Sequence, residues 1–311
     1  MAARFVIVGS GKMAADVLTL VARGPDTEPV LCINDTRRET AQSRLAQVAA
    51  AAGVPCLDCP CLNTPETLAA IRAARPTYIV SVNNFRVLGE ECLSIPERAA
   101  INFHNGPLPR YGGLHPCSWA ILRGEITYGV TWHLVDSGID TGPIIAQRQF
   151  PIGSDERVLS LISRSIREGV SLFEALLPAL AAGDLRPVPQ EGERLYFGRH
   201  DLPWQGNLPW WETRDVLDRL RRAIGFHPFP NDFFRPRLCV LGFPDPLFVS
   251  GFELVASSGP PGTVIESGPE PIVATLDAAI RFDGVEDEQG RPIADPDARG
   301  LTPGARLRQY V

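Results

Sequence analysis

The first eighty residues alternate short unbroken apolar runs with longer amphipathic stretches. That alternation restricts the fold more than any other feature of the chain. Phe5-Val6-Ile7-Val8 has no polar position on either face, the pattern of a strand covered on both sides. Gly9–Gly11 turns it into a helix over Lys12–Arg23. A second strand over Pro29–Ile33 ends at Asn34-Asp35, a helix follows over Arg38–Ala52, and a third extended piece begins at Gly53–Cys56. Thr64 and Pro65 supply the N-cap and first-turn residue of a helix running to Ala74, and Tyr78–Val82 is the next central strand. Strand and helix in this order specify an α/β fold with a doubly wound, mostly parallel sheet.

Gly9-x-Gly11-x-x-Ala14, with Asp35 twenty-six residues beyond Gly9, admits two readings. It is either a nicotinamide dinucleotide fingerprint or a tight strand-to-helix turn in which the glycines serve backbone geometry alone.

Farther on, Ser154–Gly183 repeats Val158, Ile162, Ile166, Val170, Phe173, Leu177 and Leu180 at steps of three and four, a core-facing helix that Gly183 stops. Leu185–Gly206 is rich in Pro, Gly and charge. Thr213–Ile224 is a further helix, after which short apolar runs alternate with Pro/Gly turns in the manner of a small β-rich, barrel-like domain. The expected organisation is a domain over 1–190, a connector over 191–206 and a smaller domain over 207–311.

Charge narrows the partners. The net charge is −6, and residues 201–311 hold eleven Arg against sixteen Asp or Glu, with no Lys anywhere after Lys12. A surface built to grip a polyanion should be basic, so nucleic acid is not an expected partner. No apolar run reaches eighteen residues, and the apolar part of the N-terminus is short for a signal peptide, which points to a cytoplasmic address. Seven cysteines without a secretory signal read as reduced thiols. Cys56, Cys59 and Cys61 form a local cluster that lacks a second ligand pair at finger spacing, so no metal is expected.

The chemistry concentrates between Ile101 and Ile145. Asn102 and His104 lie two apart at the end of the apolar run Ala99–Phe103, so their side chains leave one face of a strand. Asp140 lies in a Gly-flanked turn after a second apolar strand, Val130–Val135. An amide, an imidazole and a carboxylate at strand ends suit acyl transfer: one donates to an oxyanion, the others move protons.

Five linked sub-motifs run through this stretch: Asn102-x-His104, Leu108-Pro-x-Tyr-x-Gly113, Trp119-Ala-Ile-x-x-Gly-Glu125, Gly129-Val-Thr131 and Asp140-Thr-Gly142. In this order they resemble the 10-formyltetrahydrofolate-dependent formyltransferases. The resemblance implies a Rossmann-like formyltransferase fold, 10-formyltetrahydrofolate as co-substrate, and Asn102, His104 and Asp140 as the catalytic trio. It also implies a folate slot between Phe85-Arg86-Val87-Leu88 and the turn Ser137-Gly138-Ile139-Asp140, with Leu88 as an apolar wall. Asn83-Asn84 departs from the small or aromatic residues common before that segment. Tyr111, Gly112 and Gly113 are candidates for contact with the acceptor, with packing as the alternative for Tyr111. His133 has no partner pattern and reads as structural.

The expected acceptor is a small-molecule or carrier-bound amine or hydroxylamine, foremost in peptide natural-product biosynthesis. A nucleotide amino sugar and then methionyl-tRNA are the alternatives. Two readings of other classes stay open: hydrolysis of 10-formyltetrahydrofolate, and an NAD(P)-dependent oxidoreductase resting on Gly9–Ala14.

Overall fold

The computed structural model describes residues 1–35, 43–59, 61–84 and 86–308. They divide into two units that interleave along the chain. One comprises Met1–Gly113, Thr127–Pro151 and Ile162–Tyr196; the other comprises Leu114–Ile126, Ile152–Leu161 and Phe197–Val311. The expected linear division at 190 and 206 differs from this grouping in the segments 114–126 and 152–161, and the stretch 191–206 is shared between the units at Tyr196 and Phe197.

The first unit is built on a seven-stranded sheet whose strands run, edge to edge, Cys56–Cys59, Thr27–Asp35, Ala3–Gly9, Tyr78–Val82, Ala99–His104, Thr127–Leu134 and Ile144–Pro151. In chain order these are β1 (Ala3–Gly9), β2 (Thr27–Asp35), β3 (Cys56–Cys59), β4 (Tyr78–Val82), β5 (Ala99–His104), β7 (Thr127–Leu134) and β8 (Ile144–Pro151), the short β6 (Gly112–Gly113) lying outside this sheet. All pairs up to β4–β5 are parallel, whereas β7 and β8 join antiparallel. Helices α1 (Gly11–Arg23), α2 (Arg44–Ala51), α3 (Pro65–Ala74) and the single turn α4 (Glu90–Leu93) supply the crossovers. The N-terminal part of the helix expected over Arg38–Ala52 lies outside the described residues.

β1 shows why an unbroken apolar strand belongs at the centre. Val6 and Val8 join one core cluster with Leu31, Ile33, Leu68 and Ile79. Phe5, on the opposite face, stacks on Tyr78 with ring centroids 5.4 Å apart. Burying both faces leaves no position for a polar residue.

Helix α6 (Val158–Ala182) covers β5 and β7 through Phe173, whose ring lies 4.9 Å from that of the fully buried Trp132. Gly169 permits the approach, since a Cβ there would fall 2.2 Å from the ring of Phe103. The Trp132 indole N–H, which burial would leave unsatisfied, donates to the Gly169 carbonyl at 2.9 Å.

In the second unit α5 (Pro116–Leu122) packs on α7 (Arg214–Ala223), with Ser118 Oγ donating to the Ala223 carbonyl at 2.9 Å. The Trp119 ring stacks on Phe197 at 4.2 Å. These contacts draw 114–126 to the C-terminal residues. Among the described residues the C-terminal part is β-rich, as expected, with two antiparallel sheets, one of three strands and one of four. The apolar run 247–256 is divided at Ser250-Gly251 into two strands that belong to different sheets.

The Gly9–Gly11 turn has a packing explanation. Gly9 adopts φ +151, and a Cβ there would lie 1.8 Å from the Val82 carbonyl oxygen of the neighbouring strand. Gly9→Ala should therefore lower the unfolding free energy by about 2–4 kcal/mol, because the obstacle is backbone and not a movable side chain. A urea titration checks this: the midpoint should fall at unchanged slope. An unshifted midpoint would show that β4 can retreat.

Candidate active site

The antiparallel pairing of β5 with β7 builds the site. Its register sets Asn102 opposite His133 and His104 opposite Thr131. Because strand side chains alternate, these four share one face, while Phe103 and Trp132 occupy the other, against α6. Asn102 Nδ2 lies 3.1 Å from His133 Nε2.

Thr131 anchors the loop that leaves β5. Its hydroxyl donates to the Gly106 carbonyl at 2.8 Å and accepts the Leu108 N–H at 3.1 Å. The loop then turns back over His104. Tyr111 O lies 2.7 Å from His104 Nε2, and a side chain at Gly106 would come within 2.8 Å of that same nitrogen.

Asp140 arrives from the turn after β7. Asp136 closes that turn by accepting the Gly138 N–H at 3.1 Å and the Thr141 hydroxyl at 2.6 Å. Gln190 Nε2 ties the Asp140 and Gly142 carbonyls together at 2.9 and 2.8 Å. Held in the left-handed region at φ 54, Asp140 places Oδ2 3.3 Å from His104 Nδ1 and 2.8 Å from the Gly113 N–H. Oδ1 lies 3.6 Å from His133 Nε2. Asn102, His104 and Asp140, separated by up to thirty-eight positions in sequence, are thus brought together, and His133 stands among them.

Burial alone would push the Asp140 carboxyl up. The adjacent His104, His133 and the Gly113 N–H outweigh it and hold the group at about 2. The Gly113 bond maintains that direction whatever the charge on His104. For His104 burial dominates and lowers the imidazole below its ordinary value, against the upward pull of Asp140 and the Tyr111 carbonyl. A carbonyl can only accept, so the ring proton sits on Nε2 and the Nδ1 lone pair faces the carboxylate. The pair is therefore short of one proton, and a proton delivered to Nδ1 would complete a hydrogen bond to Asp140. Such a pair can accept a proton from a nucleophile, and an amide two residues away on the same face can donate to an oxyanion.

The remaining candidates are distributed as follows. Phe85 lies outside the described residues. Arg86 turns to Asp35, with NH2 3.2 Å from Oδ1, so the acid that a dinucleotide reading would aim at a ribose is engaged by a guanidinium. Asn84 Oδ1 accepts the Arg86 N–H at 3.0 Å. Leu88 is buried in the main core cluster, while Val87, 62% exposed, and Ile139, 44% exposed, present apolar surface to solvent.

Ser137 and Gly138 are exposed, and a Cβ at Gly138 would meet Thr141 Oγ1 at 2.1 Å. Glycine there serves the turn itself. The Tyr111 ring is buried at 2% exposure, which leaves it no surface to offer an acceptor; its carbonyl is the part that reaches the site. Gly112 N donates to the Leu195 carbonyl at 2.9 Å, and Gly113 is the glycine whose backbone contacts a site residue.

His133 was not legible as a site residue. Its signal was the alternation that makes it share a face with Thr131, which means nothing until β7 is paired with β5. Among the described residues no group of three or more His, Cys, Asp or Glu is arranged to hold a metal ion. Cys59 Sγ instead bonds to the Cys61 carbonyl at 2.7 Å.

Comparison with known proteins gives a consistent picture. The sequence profile of the formyl transferase family matches residues 7–176. A methionyl-tRNA formyltransferase from Myxococcus xanthus is 31% identical over 273 residues, covering 86% of this chain and 85% of its own. One from Thermus thermophilus is 34% identical over 277 residues, covering 86% of each chain. Among solved structures, the sugar 3N-formyl transferase WlaRD superposes with a TM-score of 0.66 at 20% identity, over 91% of this chain and 97% of that one. An N-formyltransferase from Helicobacter canadensis gives 0.62 at 19% identity, over 90% and 98%. At those identities the structures share the fold.

The electrostatics of the Asp140–His104 pair can be tested directly. In an NMR titration His104 should lose its proton below the ordinary histidine midpoint, and lower still in Asp140→Asn, which removes the group pulling it upward. The Asp140 contribution to stability should be complete above pH ~4, the unfolded carboxyl value, and be lost as the pH falls toward about 2. The difference in unfolding free energy between wild type and Asp140→Asn should shrink across that window. A rise of the His104 midpoint in the variant would refute the assignment of charges.

Proposed function

The chain belongs to the formyl transferase family, and from that premise we propose that it transfers the formyl group of 10-formyltetrahydrofolate to a primary amine or hydroxylamine. The convergence of Asn102, His104 and Asp140 carries this reading, with His104 Nδ1 3.3 Å from Asp140. The amine nitrogen attacks the formyl carbon, and Asn102 donates an amide N–H to the oxyanion that develops. The surplus proton of the attacking nitrogen passes to the His104–Asp140 pair, where Nδ1 is unprotonated. The carbon–nitrogen bond to the folate then breaks as that nitrogen takes up the proton held by the His104–Asp140 pair, which returns the pair to its resting state. Burial makes His104 neutral at rest and so able to receive. The products are the formylated amine and tetrahydrofolate, with no covalent enzyme intermediate.

The folate slot lies, on this reading, between Arg86–Leu88 and Ser137–Asp140. These segments follow β4 and β7, the two neighbours of β5 in the sheet. The exposed apolar side chains of Val87 and Ile139 support it, since solvent-facing apolar surface beside polar backbone suits a flat heteroaromatic ligand.

For the acceptor we propose a small-molecule or carrier-bound amine, foremost one of peptide natural-product biosynthesis, with a nucleotide amino sugar next. The support is electrostatic. Arg219, Arg221 and Arg222, the one basic run of the C-terminal part, pair with Asp215 at 3.4 Å and with Asp218 at 2.6 and 2.8 Å. Arginines already paired have little left for phosphates. Charged initiator tRNA is the competing acceptor, favoured by the names of relatives that match over most of both chains.

Three measurements test this reading. Asp140→Asn should keep the fold and reduce turnover by at least ~100-fold, because volume is preserved while charge is lost. Wild-type turnover in that variant would remove Asp140 from the chemistry. Val87→Asp should raise KM for the folate donor about tenfold and Val87→Ala should change it little, the first placing a charge against an apolar ligand; equal KM values would move the slot elsewhere. Finally, a panel of amino sugars, peptidyl amines and charged initiator tRNA should show formylation of a small amine. Efficient, salt-sensitive formylation of the tRNA would reverse the choice of acceptor.

A further inference from the structure

The structure assigns to His133 the role of a positioning residue that fixes the amide of Asn102 for oxyanion contact. This rests on the formyl-transfer reading above, and its geometry can be tested apart from it. His133 is 2% exposed and lies directly across the β5–β7 ladder from Asn102. Its Nδ1 is 2.7 Å from the Leu134 carbonyl. A carbonyl only accepts, so the proton is on Nδ1 and Nε2 presents a lone pair.

At 3.1 Å that lone pair accepts a hydrogen bond from Asn102 Nδ2. Asp140 Oδ1 stands at 3.6 Å from the same atom, farther than the Asn102 amide. The consequence falls on Asn102. A free asparagine amide can present either its oxygen or its NH2 to a ligand, and only the NH2 stabilises an oxyanion. With one N–H committed to His133 Nε2, the amide cannot rotate by half a turn without setting its oxygen against a lone pair. The second N–H is then the one left for the substrate.

A ring that merely filled space would do none of this, which defines the experiment. His133→Phe preserves the ring and removes the acceptor; His133→Gln can return an acceptor oxygen to the strand face. With 10-formyltetrahydrofolate and the amine and tRNA panel, His133→Phe should lower kcat about 10- to 100-fold at nearly unchanged KM for the folate, and His133→Gln should recover part of the loss. In an Asn102→Ala background His133→Phe should cost nothing further, since its effect passes through Asn102.

Ligand-free NMR should show His133 protonated at Nδ1 and bare at Nε2, and the Asn102 side-chain amide signals should move in His133→Phe. A protonated Nε2 at neutral pH, or turnover unaffected in His133→Phe, overturns the proposal. Loss of activity that is equal and additive with and without Asn102 overturns it as well. A wild-type protein that formylates no acceptor would instead count against the proposed function, while the tautomer and the amide shifts still decide on His133.

Discussion

The register between β5 and β7 is the constraint on which the rest of the active-site face depends. Because the side-chain period of a strand is two, a slip of one residue would carry every side chain of β7 to the other face. Trp132 would leave the helix that buries it, Thr131 would abandon the loop over His104, and His133 would turn away from Asn102. The packing of Trp132 against Phe103 and Phe173 therefore does more than stabilise. Burying a full indole with its N–H satisfied makes the wrong register expensive, and the polar face is fixed as a result.

Onto that fixed face the structure lowers a carboxylate and surrounds it. Asp140 receives a backbone N–H on one oxygen and lies beside two imidazoles, while Gln190 holds the carbonyl of the same residue. An aspartate tolerates φ 54 better than most residues, but Tyr111 at φ 62 does not. The strain at Tyr111 accompanies a defined contact: its carbonyl caps His104 Nε2 and thereby decides which ring nitrogen carries the proton. A backbone conformation costing of order 1–3 kcal/mol is sustained here because the buried aromatic side chain overdetermines it.

Much of the fold was legible because it rests on local periodicity. β1, β4, α3 and α6 fall close to where apolar runs, caps and the Gly183 stop place them. The C-terminal strands were less so: in Ala279–Phe282 the apolar run is broken by Arg281, and Val285–Glu286 is only two residues long. The grouping of 114–126 with the C-terminal residues was not legible at all, because an α5–α7 contact between helices a hundred residues apart leaves no periodic trace.

The sequence by itself determined the parallel sheet, the shared face of Asn102 and His104, and the presence of a carboxylate in the turn beyond, since each follows from spacing along one strand or turn. Tertiary structure alone decided that His133 meets Asn102, that the Tyr111 ring is buried while its carbonyl reaches His104, and that Arg86 and Asp35 neutralise each other. The reason is the same in each case. Which face of a strand is polar is a local property, but which residues cross it depends on pairing between segments whose registers are set by burial elsewhere in the chain.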